Sequence, residues 1–140
     1  MIQNVEYIHL PTGTLPPDLR GSAFRCVVII QESVSIEWRD LISSWLVYGG
    51  CLYMMAWGND CILWDDSVDY ANLERFNFQE IPEEQFVLTT WHSEETLDEV
   101  FWFSKNCAHH SIIELKRTIL IDINKQDRRT EIVTAYDDTK

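Results

Sequence analysis

Four apolar runs alternate along the chain with segments long enough to form helices, and this alternation constrains the fold more than any other feature. The runs are rich in β-branched and aromatic residues, and they cover residues 24–31 (FRCVVIIQ), 51–57 (CLYMMAW), 85–91 (QFVLTTW) and 116–124 (KRTILIDIN). Nearly continuous apolar runs are typical of strands that are buried on both faces. Strands that alternate with helices predict a parallel sheet with helices on its faces.

The segments between the runs carry helix signals. Residues 36–48 place their apolar side chains on one side of a helix and stop at two successive glycines, which favour helix termination. A second helix is predicted over 61–76. A third is predicted to begin at Ser93 or at Thr96, and the spacing of Thr96 and Glu99 has the form of a capping box.

We therefore predict a single α/β domain over residues 1–140. Its three layers contain a mostly parallel four-stranded sheet in the order β-α-β-α-β-α-β. Residues 130–136 (TEIVTAY) are expected to add an antiparallel edge strand. An irregular lead-in is expected over 1–22, with a short strand as an alternative for residues 5–10, and a frayed tail is expected over 137–140.

The charge of the chain is concentrated in one segment. The net charge is −12, and residues 60–99 contain twelve acidic side chains and a single basic one, Arg75. Such a balance argues against binding duplex nucleic acid through a basic face. No window approaches 18 uninterrupted apolar residues and the first residues do not resemble a signal peptide, so we expect a cytoplasmic protein without a membrane span.

Neither the cysteines nor the glycines match a cofactor motif. None of the four cysteines has a partner at CxxC spacing, and the four histidines do not lie at zinc-finger distances from them. The sequence contains neither a GxGxxG nor a P-loop pattern. We therefore expect reduced thiols, no metal and no cofactor.

Ligands of open α/β sheets usually bind beyond the carboxyl ends of the strands, which directs attention to the residues that follow the apolar runs. The ligand-binding candidates at these positions are Glu32, Asn59, Ser93 and Glu94.

Catalytic candidates occur at the same edge. Cys61 begins the second predicted helix and His92 follows the third apolar run, with Asp60 beside the thiol. If the second and third apolar runs form neighbouring strands, Cys61 and His92 could form a thiol–imidazole pair. The alternative is that Cys61 packs beneath its helix and His92 is an ordinary loop or cap residue.

Two features suggest a protein interface. Trp102 lies opposite the apolar stripe of the third helix, so it is either an exposed interface anchor or is covered by the N-terminal segment. Asp65, Asp66 and Asp69 are further interface candidates. A cation site is the alternative for these acids, but their spacing differs from that of an EF-hand, and a solvated helix face is favoured.

Two tryptophan-rich stretches resemble a known family. The stretches are YGGCLYMMAWGNDCILWDDSVDYAN (48–72) and TTWHSEETLDEVFWFSKNCA (89–108). They are similar to a family of small bacterial proteins described as a domain of unknown function, over about residues 15–124. The resemblance implies a stand-alone bacterial cytosolic domain, and it implies no activity and no catalytic residues.

Two functions remain open from the sequence. The first is a non-catalytic binding or regulatory module, of the immunity type for example, that docks a basic protein partner on an acidic face containing aromatic residues. The alternative is a small α/β enzyme or ligand-binding domain with its site around Cys61 and His92. The absence of a catalytic motif favours binding.

Overall fold

Five strands and four helices make up the chain in a computed structural model, which describes residues 4–140. The strands are Asn4–His9 (β1), Phe24–Ile30 (β2), Cys51–Gly58 (β3), Leu88–Trp91 (β4) and Arg117–Ile123 (β5). The helices are Ile36–Gly49 (α1), Cys61–Arg75 (α2), Leu97–Asn106 (α3) and Arg129–Asp138 (α4), with one 3₁₀ turn at Glu83–Gln85.

The strands form one sheet in the order β1-β5-β2-β3-β4, and every pairing is parallel. The central strands β2 and β5 are buried along their whole length, which explains why their sequences are nearly continuous apolar runs. The predicted α/β class and the parallel sheet are confirmed.

Helices cover both faces of the sheet. On one face, α1 and α2 pack Ile42, Leu46, Trp64 and Val68 against alternate residues of β2, β3 and β5. On the other face, α3 and α4 pack their own apolar side chains against the remaining alternate residues; these are Val100, Phe101, Ile132 and Tyr136. Side chains on successive strand residues therefore belong to different cores, and this alternation decides which functional candidates can meet.

The predicted number of four strands is wrong, because a fifth strand, β1, forms at the start of the lead-in, where a short strand over residues 5–10 is the alternative. This strand pairs with β5 in a register that places His9 opposite Asp122. The Tyr7 hydroxyl donates to Asp122 Oδ2 at 2.7 Å, and Arg117 forms an ion pair with Glu6. Residues 1–3 of the lead-in lie outside the described residues.

The predicted antiparallel edge strand at residues 130–136 is also wrong, because this segment forms most of α4. Ile132 and Tyr136 are four residues apart and both are buried, so the helix covers one face of the sheet near β1. The helix also includes Asp137 and Asp138, where the sequence predicts a frayed tail.

The helix ends follow their sequence signals in two cases. Gly50 terminates α1 with φ +108°, a left-handed conformation that glycine adopts without strain. The capping box at the start of α3 is confirmed, since the Thr96 side chain accepts from the Glu99 amide and Glu99 reaches back to Thr96.

Candidate functional site

The four ligand-binding candidates lie at the carboxyl-end edge of the sheet, after three adjacent strands. Asn59, Ser93 and Glu94 are exposed, and the partly buried Glu32 lies 3.5 Å from the Thr12 hydroxyl. Neither of the two grooves described below includes any of these candidates in its lining. Three of the four side chains are therefore open to solvent at this edge.

Cys61 and His92 follow neighbouring strands, as the hypothesis of a thiol–imidazole pair requires, but they lie on opposite faces of the sheet. Cys61 is buried in the core beneath α1 and α2. The His92 ring packs at 4.8 Å against Phe103 of α3. Asp60 precedes α2 with φ 56°, and its side chain makes no capping hydrogen bond.

Both ring nitrogens of His92 have hydrogen-bond partners close by in the sequence. Its Nδ1 lies 2.9 Å from Glu95 Oε2 and its Nε2 lies 2.8 Å from the Thr90 hydroxyl. Thr90 and His92 are two residues apart and so project on the same face. Since the ring is buried and both nitrogens have partners, His92 fixes the connection between β4 and α3.

The aspartates of α2 are divided between the interior and the surface. Asp65 is 5% exposed, and burial together with the charge of Asp69 raises its pKa to about 6. Asp69 is exposed and accepts a hydrogen bond from Thr89 at 2.7 Å, and Asp66 is exposed. Within residues 4–140, no group of three His, Cys, Asp or Glu side chains is arranged to hold a metal ion.

Trp102 lies in a groove between α3 and α4. It is 51% exposed, because the buried stripe of α3 is formed by Val100, Phe101 and Ser104. The groove has a volume of about 620 Å³. Its lining residues are Asp98, Glu99 and Trp102 from α3, and Ala135, Asp138 and Thr139 from α4 and the residue that follows it.

Three acidic residues line the same groove as the exposed indole. Asp98 and Glu99 lie one turn before Trp102 on α3, and Asp138 projects from the end of α4. The ammonium group of Lys105, the nearby basic residue, contacts other groups. Its Nζ donates to the Thr139 carbonyl at 2.5 Å and lies 4.7 Å from the ring centre of Tyr136. The groove therefore combines an apolar ring with a negative charge.

The structure separates Trp102 from the other interface candidates, which lie on α2 and hence on the other face of the sheet. The α4 wall of the groove is not predicted from the sequence, because residues 130–136 are interpreted there as a strand. The spacing of four between Ile132 and Tyr136 was the one available signal for this helix.

None of the helices in the described part of the chain is both long and apolar enough to cross a membrane.

Comparison with known proteins identifies a family for the chain. The model of the family described as Domain of unknown function (DUF7684) matches residues 5–139, which is nearly the whole chain. Comparisons with curated proteins and with solved structures give no match. The chain belongs to the DUF7684 family.

Proposed function

We propose that this protein is a non-catalytic module that binds a basic protein partner, and that the Trp102 groove receives a lysine or arginine side chain of that partner. The observation that carries the proposal is the position of a half-exposed tryptophan among carboxylates from two helices. A regulatory or immunity-like role, in which the acidic protein covers a basic surface, is one form of this function.

The groove supplies two attractive interactions for a cationic side chain. The face of an indole attracts a cation by about 0.5–1 kcal/mol at an exposed site and about 2 kcal/mol when water is excluded. Asp98, Glu99 and Asp138 provide ion-pair partners around the ring. The remaining acidic residues of segment 60–99 add a long-range negative potential that accelerates encounter with a basic protein.

The small-enzyme alternative receives less support from the geometry. Its two central residues, Cys61 and His92, face different cores. The His92 ring nitrogens already have partners in Thr90 and Glu95. This arrangement is that of a structural histidine and a packed thiol.

The proposal is tested with an array of peptides of varied lysine and arginine content. The tightest binder is then measured in solution by fluorescence anisotropy with the wild type, Trp102→Ala and Tyr48→Ala. Tyr48 is the control, because it is an aromatic residue that is 64% exposed and lies on α1, outside the groove. We expect Trp102→Ala to weaken binding at least tenfold and Tyr48→Ala to leave it unchanged. The proposal fails if no basic peptide binds at low salt, or if the two variants behave alike.

A further inference from the structure

Strand β4 lies at the end of the sheet, and in the described chain β3 is its sole neighbour. The His92 amide donates to the Ala56 carbonyl of β3 at 2.9 Å. Backbone groups of successive strand residues point to opposite sides. The N–H and C=O groups of Thr89 and Trp91 are therefore directed to the open side of β4.

At the start of this edge, a side chain of α2 binds the outward backbone amide, whereas the outward groups of Thr89 and Trp91 have no strand of the described chain beside them. The Val87 amide points to the same side as those of Thr89 and Trp91, and it donates to Asn72 Oδ1 of α2 at 2.9 Å. The Asn72 amide group also donates to the Gln85 carbonyl. Beyond this point β4 contains neither lysine nor proline, the residues with which proteins commonly protect an edge.

A groove lies beside the open groups, between α2 and β4. Its volume is about 350 Å³, and its lining includes Leu73, Phe86, Thr89 and Asp69. Leu73 and Phe86 are 41% and 45% exposed. Because Thr89 both lines this groove and carries outward backbone groups, a strand added to β4 would place alternate side chains against the apolar wall and near the Asp69 carboxylate.

The residues on either side of β4 are acidic, which favours a basic partner. Glu83 and Glu84 precede the strand and Glu94 follows it. Arg75, the one basic residue in segment 60–99, donates to the Val47 carbonyl and stacks on the Tyr48 ring, and so is held against α1. A second copy of the chain would bring two acidic segments together, whereas a basic segment would neutralise them.

We infer that the open edge of β4 binds an extended, basic segment of a partner protein as an additional strand of the sheet. Main-chain hydrogen bonds to Thr89 and Trp91 would provide affinity, and the groove beside Asp69 would select side chains. This surface is separate from the Trp102 groove, and the inference holds whether or not that groove binds a protein.

The test uses decapeptides in which lysine or arginine alternates with valine, threonine or phenylalanine. Amide hydrogen exchange of the whole protein is measured with and without the tightest peptide. Strand addition predicts at least tenfold slower exchange at the Thr89 and Trp91 amides. It also predicts that an N-methylated form of the same peptide binds at least tenfold more weakly. In this form, methyl groups replace the hydrogens of those alternate backbone nitrogens that would donate to β4.

Two variants separate main-chain pairing from contact with the indole. Trp91→Pro removes an outward amide that the sheet does not use, and Trp91→Ala keeps it. We expect Trp91→Pro to lose at least tenfold in affinity and Trp91→Ala to bind within threefold of the wild type. If Trp91→Pro does not fold, the methylated peptide decides.

Three results would overturn the inference. The first is that no alternating peptide binds, and the second is that the methylated peptide binds as well as its parent, which would mean an electrostatic contact alone. The third is a dimer in sedimentation that protects the same two amides without peptide, which would make a second copy the occupant. The variant Asp98→Asn/Glu99→Gln/Asp138→Asn reports on the Trp102 groove instead, and should leave this binding unchanged.

Discussion

Trp102 of α3 and Asp138 of α4 line opposite walls of one groove, so an exposed indole and a carboxylate face the same space. Neither residue is required by the core, because the α3 and α4 core residues are the buried side chains beside them. An exposed tryptophan that packing does not explain is typical of an interface anchor. The carboxylates around it make a cation the complementary ligand.

Neutralising the groove should weaken binding without unfolding the protein. The variant is Asp98→Asn/Glu99→Gln/Asp138→Asn, in which glutamine preserves the capping box of α3. All three residues are exposed, so we expect the free energy of unfolding to change by less than about 1 kcal/mol. Affinity for the basic peptide should fall and should become less sensitive to salt.

The control for this variant removes the same charge from another surface. Asp18→Asn/Glu37→Gln/Glu114→Gln neutralises three exposed acids that do not line the groove. Binding is measured at several salt concentrations for both variants. Equal losses in the two would show that net charge, and not the groove, governs the interaction.

Asp65→Asn should stabilise the protein at neutral pH. The folded protein holds the Asp65 proton more tightly than the unfolded chain, since burial and Asp69 raise the carboxyl pKa from 3.8 to about 6. Ionisation therefore opposes folding, and the wild type loses stability as the pH rises from about 4 to above 6. We expect a gain of about 1–2 kcal/mol at pH 8 that disappears near pH 4.

Urea unfolding at several pH values measures this effect. The exposed neighbour Asp66 supplies the control, because Asp66→Asn removes one charge without removing a buried carboxylate. A pH-independent gain, or an equal gain in Asp66→Asn, would mean that general charge repulsion and not the burial of Asp65 is responsible.

Tyr7→Phe should destabilise the fold through the β1–β5 pair. The hydroxyl donates to the fully buried Asp122 and accepts from the Arg128 amide at 3.0 Å. Removing it leaves the buried Asp122 carboxylate and the partly buried Arg128 amide without that hydrogen bond, at a cost of about 1–3 kcal/mol. Tyr48→Phe, at a ring that is 64% exposed, is the control for urea unfolding, and it should cost much less. Comparable losses would contradict the assigned role of this contact.

Thiol labelling should find one reactive cysteine. Cys107 is exposed, whereas Cys26, Cys51 and Cys61 are buried. Burial and the neighbouring Cys51 thiol also raise the pKa of Cys26, which suppresses its thiolate. We expect fast labelling of Cys107 alone, with the other three thiols reacting at the rate of unfolding. Fast labelling of Cys61 in the folded protein would restore the enzyme hypothesis.

The sequence predicts the parallel α/β core well because its strands are long apolar runs, but it leaves the outer elements undecided. Residues 130–136 contain β-branched residues, and the spacing of Ile132 and Tyr136 is their only helical signal. The helix is therefore decided by the packing of these two side chains on the sheet. The pairing of β1 with β5 spans more than a hundred residues and carries no local signal.

In the candidate site too, some features have a local sequence signal and others depend on how the elements pack. The position of Trp102 opposite the apolar stripe of its helix leaves two alternatives, exposure or burial beneath the N-terminal segment, and the structure shows a side chain that is 51% exposed. The separation of Cys61 from His92 could not be predicted, because it depends on the residue at which each strand ends and on the face to which that residue belongs. A shift of one residue at the end of β4 would have reversed it.

The most direct test of the central claim is a titration of the isotope-labelled protein with the tightest basic peptide, followed through the indole N–H signals of its tryptophans. Trp38 and Trp45 are internal references, since their indoles donate to the carbonyls of Thr14 and Pro17. Our account predicts that the Trp102 signal shifts most and saturates with the binding curve. A Trp102 signal that moves no more than those of Trp38 and Trp45 would contradict it.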